Sequence, residues 1–112
     1  MDFDIQKTES NQVPIVRVMG ALMDSEVYRF SRDLKAAAKL GAPKIAIDVS
    51  HTEFMDSHAL GLLVFHHSAL QKEGRSLVII NENPDPLSYI RGLLDTTGLS
   101  RILQVVDNVD KL

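Results

Sequence analysis

The sequence has no cysteine, which excludes a disulfide framework, a thiol nucleophile and a cysteine metal site. It has no long apolar run either: the longest, Ala59 to Phe65 counting Gly61, is far too short to cross a bilayer. The opening Met-Asp-Phe-Asp lacks both a basic region and an apolar core, so no secretory signal and a cytoplasmic location are expected. No strong excess of one charge exists. A formal net charge of −3 argues against a surface built to neutralise nucleic-acid phosphates. There is no Gly-x-x-x-x-Gly-Lys loop to cradle a nucleotide and no Gly-x-Ser-x-Gly elbow to expose a nucleophile. A serine, a histidine and an aspartate are present, but nearness in sequence does not supply the hydrogen-bond geometry of a triad. Neither an enzyme, with catalytic residues, nor a cofactor is therefore expected. No repeat and no linker-like segment divides the 112 residues, which read as one domain over 1–112.

What is present is an alternation of β-branched runs with helical periodicity. Phe3, Ile5 and Lys7 alternate with polar neighbours as a short strand, Glu9 to Gln12 is turn-like, and Val13 to Val18 is a second strand ending at Gly20. Their short connection predicts an N-terminal hairpin. A helix is predicted from about Asp24 to Leu40, with Val27, Phe30, Leu34 and Ala38 on one face and Gly41 and Pro43 as its stop. Lys44 to Val49 reads as a buried strand and Ser50 to Glu53 as a polar loop. A helix from Ser57 to about Glu73, a strand over Ser76 to Ile80, a helix from near Pro86 to before Gly98 and a strand over Leu103 to Val106 follow. The fold class is α/β: a mixed, mostly parallel sheet of about five strands, with helices packed mainly on one face. Leu60, Leu63, Val64, Ile45, Ile47, Val78 and Ile80 are expected in one core, and Gly61 is expected to mark close packing against a strand or a partner.

The most informative stretch is Phe54 to Val64, Phe-Met-Asp-Ser-His-Ala-Leu-Gly-Leu-Leu-Val. It places Asp56 and Ser57 where an apolar helix begins, at the carboxyl end of a strand, where open α/β sheets put their functional loops. One reading is a helix cap and nothing more. The other is a covalent switch, because an added phosphate would face unpaired N–H groups and the positive end of the helix dipole.

The segment resembles the signature of the STAS domains, specifically the bacterial anti-sigma factor antagonists, written Asp-Ser-(Ser/Thr)-Gly-Leu-Gly. Asp56, Ser57, Leu60 and Gly61 match it; His58 stands where a small hydroxyl residue is usual, and Ala59 where a glycine is usual. The family often has an aspartate three residues after the glycine that ends the second strand; Met23 occupies that position here, with Asp24 one residue later. The resemblance implies phosphorylation of Ser57 by a serine kinase that is also the anti-sigma factor. It makes Asp56, His58, Met23 and Asp24 expected partner-binding residues; Leu62 and Phe65, which project from another side of the helix, either lie under a neighbouring helix or form an apolar patch that meets a partner. The implied protein is a monomer or weak dimer that binds its partner unphosphorylated and releases it once Ser57 carries phosphate. The alternative is a STAS module with Ser57 unmodified, acting as a scaffold in a signalling or lipid-transport assembly.

Four histidines, His51, His58, His66 and His67, do not have metal-site spacing: adjacent His66 and His67 point about 100° apart on a helix, and His58 lies two turns from His66. No metal is expected.

Overall fold

The computed structural model describes residues 3–7 and 13–112, with side chains from Val13 onward. Five strands form one sheet in the order β1 (Phe3–Lys7), β2 (Pro14–Leu22), β3 (Lys44–Met55), β4 (Ser76–Ile80) and β5 (Gln104–Val106). β1 runs antiparallel to β2, and every later pair is parallel. The expected turn over Glu9 to Gln12 and the inward and outward faces of Phe3, Ile5 and Lys7 lie outside the described residues. Helices α1 (Ser25–Ala38), α2 (Ser57–Gln71) and α3 (Tyr89–Thr96), with the short α4 (Leu99–Ile102), fill the crossovers. Because strand order in space equals strand order in sequence, right-handed crossovers all deliver their helices to the same side of the sheet.

That side holds the main core. Val16, Val18, Ile45, Ile47, Val49, Leu77 and Ile79 meet Phe30 and Leu34 of α1, Leu63 and Leu70 of α2, and Ile90 and Leu94 of α3. Strand side chains alternate faces, so Val78 and Ile80 do not join it. They pair in register with Ala46 and Asp48 and form a second, smaller cluster with Val13, Ile15 and Val106, against which Val109 and Leu112 pack. The expected single core is two.

Further expectations are corrected. The polar loop Ser50–Glu53 is strand: β3 runs unbroken to Met55, and its extra residues are absorbed as register shifts against β2, between Arg17 and Met19 and between Gly20 and Ala21. Thr52 is held in place by donating from its Oγ1 to the Val18 carbonyl at 2.8 Å. On α2, Val64 is 38% exposed and Leu60 only partly buried, whereas Ala59, Leu63, His66, His67 and Leu70 face inward. The buried stripe is rotated because apolar residues surround much of this helix. Among the described residues, nothing lies within 4 Å of where a Cβ on Gly61 would stand, so packing against them does not account for it. On α1 the fourth buried position is Ala37 rather than Ala38. The third helix begins at Tyr89, capped by the Ser88 hydroxyl, which accepts from Arg91 N–H.

α1 ends where Gly41 turns left-handed (φ 80°). Arg75 closes that end: its guanidinium donates to the carbonyls of Ala38 and Ala42, both at 2.8 Å, and pairs with Glu73 at 2.9 Å. His66 is buried between α1 and α2, its Nε2 3.5 Å from Ser31 Oγ. Burial first, and the nearby Lys35 second, hold its pKa below the usual 6.5.

Two outcomes follow. Leu63→Ala is expected to lower stability by about 2–5 kcal/mol, Val64→Ala to change it by less than about 1, and Gly61→Ala to raise it by about 1, all from urea unfolding. Between the depressed folded pKa of His66 and 6.5 the unfolded chain binds more protons than the folded one. The stability from neutral His66 is therefore complete above about pH 6.5 and is lost as pH falls through the folded value. His66→Gln is expected to flatten that part of a pH series of urea midpoints.

Candidate functional site

The carboxyl ends of β2 and β3 lie side by side and launch α1 and α2 in the same direction, so both helix N-termini open on one end of the domain. Asp56 organises this end. Its backbone N–H donates to the Leu22 carbonyl at 3.2 Å, tying the end of β3 to the end of β2. Its side chain then reaches two ways. Oδ1 accepts from Ala59 N–H at 2.9 Å, capping α2, and Oδ2 accepts from Asp24 N–H at 3.4 Å, holding the loop that starts α1. Asp56 is the cap, and Ser57 is the first residue of the helix. The reading of Ser57 as a cap is thereby corrected.

Ser57 is exposed, and its hydroxyl makes no hydrogen bond among the described residues. Asp56 takes the N–H of Ala59, which leaves those of Ser57 and His58 as the unspent donors of the first turn. The site thus pairs a free hydroxyl with a place where negative charge is tolerated.

Asp24 is the one residue other than glycine with positive φ among the described residues, at φ 55° and ψ −130°. Its side chain makes no capping bond; the Met23 carbonyl accepts from Glu26 N–H at 3.2 Å across the bend. Such a backbone costs about 1–3 kcal/mol for a residue with a Cβ. Met23, exposed, and Asp24 therefore stand beside Asp56 and Ser57. His58, Leu62 and Phe65 follow one another along α2 at spacings of four and three, a single stripe. Its members differ in exposure: Leu62 packs partly against the core, while Phe65 is 62% exposed, edge-on to the His66 ring.

Two contacts at this end have no counterpart in the sequence reading. Tyr28 on α1, 70% exposed, meets the His58 ring edge-on with centroids 5.7 Å apart, bridging the two helices beside Ser57. An aromatic outside the Val27, Phe30, Leu34 stripe was the available signal. Tyr89 on α3 stacks on Phe54, and its hydroxyl donates to the Met55 carbonyl at 3.3 Å while accepting from Met55 N–H at 3.4 Å. It fixes the end of β3 just before Asp56. Among the described residues, no group of three metal-ligating side chains comes together, and no helix is long and apolar enough to cross a membrane.

A parallel sheet with its helices on one side and an aspartate-capped helix carrying an exposed serine has close relatives. The STAS domain model matches residues 4–112, and the chain belongs to that family. It is similar to an anti-sigma F factor antagonist of Paenibacillus polymyxa, at 27% identity covering 96% of this chain and 90% of the relative. Among solved structures it is similar to the anti-sigma factor antagonist SpoIIAA in its unphosphorylated form, with TM-score 0.74, 20% identity and coverage of 98% of this chain and 91% of that one. The phosphorylated form of SpoIIAA, a Bacillus cell fate determinant, gives 0.69 at 20% identity, over 98% of this chain and 95% of that one. A sulfate transporter family protein from Wolinella succinogenes shares the fold with TM-score 0.64 and 18% identity, over 96% and 91% of the two chains.

Two substitutions test this geometry by urea unfolding. Asp24→Gly is expected to stabilise by about 1 kcal/mol, since the strain relieved exceeds the extra unfolded freedom of glycine, about 0.5–1 kcal/mol. Asp56→Ala is expected to cost about 0.5–2 kcal/mol, the usual worth of a cap.

Proposed function

We propose that this chain is an anti-sigma factor antagonist. It binds a serine kinase that is also an anti-sigma factor and is switched off by phosphorylation at Ser57. The observation that carries the reading is the exposed, unpartnered Ser57 hydroxyl at the head of α2, directly after Asp56. The similarity to named antagonists supports it. In its unphosphorylated form the chain presents Asp56, Ser57, His58, Met23 and Asp24 at the head of the helix pair, with Leu62 and Phe65 further along α2, to that partner.

The switch is a matter of binding rather than folding. A phosphate adds about −1.5 to −2 charges. The free N–H groups of Ser57 and His58 and the helix dipole accommodate that charge locally, so the domain stays folded. Outward, it adds to Asp24 and Asp56, and a partner surface fitted to a neutral serine meets repulsion and a desolvation cost.

A second reading has its own support in the fold shared with a sulfate transporter family protein and in the substitutions at Met23 and His58. In it Ser57 is never modified, and the domain is a scaffold within a signalling or lipid-transport assembly.

The deciding experiment incubates the chain with ATP and the kinase-type anti-sigma factor of the same genome, maps phosphate by mass spectrometry and measures affinity by calorimetry. Ser57→Ala is expected to keep affinity and take no phosphate. Ser57→Asp is expected to stay folded and bind about a hundredfold more weakly, equivalent to about 2.7 kcal/mol. Phosphate elsewhere, or equal affinity of the two variants, would favour the scaffold.

A further inference from the structure

At the opposite end from Ser57, α1 and α2 part over the first residues of β3 and β4 and leave a cleft of about 230 Å³. Its walls are chiefly apolar: Leu34 and Ala38 from α1, Leu70 from α2, and Ile45 and Leu77 from the strands. The volume falls below the roughly 300–1,000 Å³ of pockets for drug-sized ligands, so the occupant is smaller than those.

The polar groups at its edge are unequal in their commitments. Glu73 and Arg75 neutralise one another, and the rest of the Arg75 guanidinium is spent on backbone carbonyls. Lys39, which lines the cleft, has no ion pair among the described residues. Lys35, one turn earlier on α1, is likewise unpaired and lies close enough to His66 to disfavour its protonation. His66 itself is buried and lines the cleft, and its contact with Ser31 at 3.5 Å is at the outer limit of a hydrogen bond. An apolar floor under uncompensated positive charge and an under-used imidazole is complementary to an apolar anion. By contrast, the larger hollow of about 380 Å³ beside α3 carries Asp107 already paired with Lys111 at 2.6 Å, and offers no such imbalance.

We propose that this cleft binds a small apolar carboxylate of about the size of octanoate, its chain against Leu34, Ile45, Leu70 and Leu77 and its head group at Lys39 beside His66. The site is separate from Ser57 and does not depend on that serine's modification.

The test titrates the full isotopically labelled chain with sodium octanoate and follows backbone and methyl resonances. Saturable shifts confined to Ala38, Ile45, His66, Leu70 and Leu77 are expected, with octylammonium at least about tenfold weaker because its charge is reversed. Two variants at exposed positions keep the fold and separate the contributions: Lys39→Gln is expected to weaken octanoate about tenfold, and Ala69→Leu, which fills the cleft from its rim, to abolish saturable binding. No saturable shift, shifts centred elsewhere, equal binding of octylammonium, or undiminished binding by Ala69→Leu would each overturn the proposal.

Discussion

β3 is hydrogen-bonded to a parallel neighbour on each side, and the other elements take their places from it. Its alternation sorts side chains into two clusters: Ile45, Ile47 and Val49 turn toward the helices, while Ala46 turns to the opposite face with Val78 and Ile80. Asp48, on that second face, is buried and satisfied by Arg17 at 3.3 Å and by Ser50 N–H at 3.0 Å, which lets a carboxylate sit within a sheet. The strand then continues through residues that look like loop, because β2 supplies the pairing and the register shifts accommodate the extra length. Had it stopped at Val49, Asp56 would hang on a free segment rather than on the end of a paired strand.

The carboxylate of Asp56 converts that strand end into a site. One oxygen caps α2 and the other reaches the loop before α1, so two crossovers that are distant in sequence share one anchor. Asp24 sits there with a backbone that glycine would adopt more easily. A residue that costs stability where its side chain caps nothing is the kind of local conflict concentrated at functional surfaces. Gly61 makes the same point from the helix side. It weakens α2, and no neighbour among the described residues requires its small size.

The order of elements, the head of α2 and most core positions could be read from the sequence because each rests on local periodicity or local capping chemistry. The failures have a common cause. β3 beyond Val49 depends on pairing with β2, which no local pattern announces: His51 and Glu53 are exposed while Thr52 between them is buried. The buried face of α2 could not be fixed because Leu60, Leu62, Leu63, Val64 and Phe65 surround the axis, and His66, which turns inward, looks polar. The pairing of Tyr28 with His58 and the bracing of Met55 by Tyr89 join residues some thirty positions apart. Only the packed fold brings them together.

The helix pair also explains why chemistry at one end can leave the fold intact. α1 and α2 are held along their length by buried apolar contacts, among them Phe30, Leu34, Leu63 and Leu70, in addition to the Asp56 anchor and the Tyr28–His58 contact at the Ser57 end. At about 25 cal/mol per Å² of apolar surface, this contribution does not respond to an added surface charge. Charge at the head of α2 meets the unspent N–H groups of the first turn, which stabilise an anion there without rearrangement. The energetic consequence of a phosphate is therefore directed outward, to whatever surface approaches Asp24, Asp56 and His58. A domain whose stability lies in its core and whose exposed serine is the first residue of a helix capped by Asp56 can carry added charge there without unfolding.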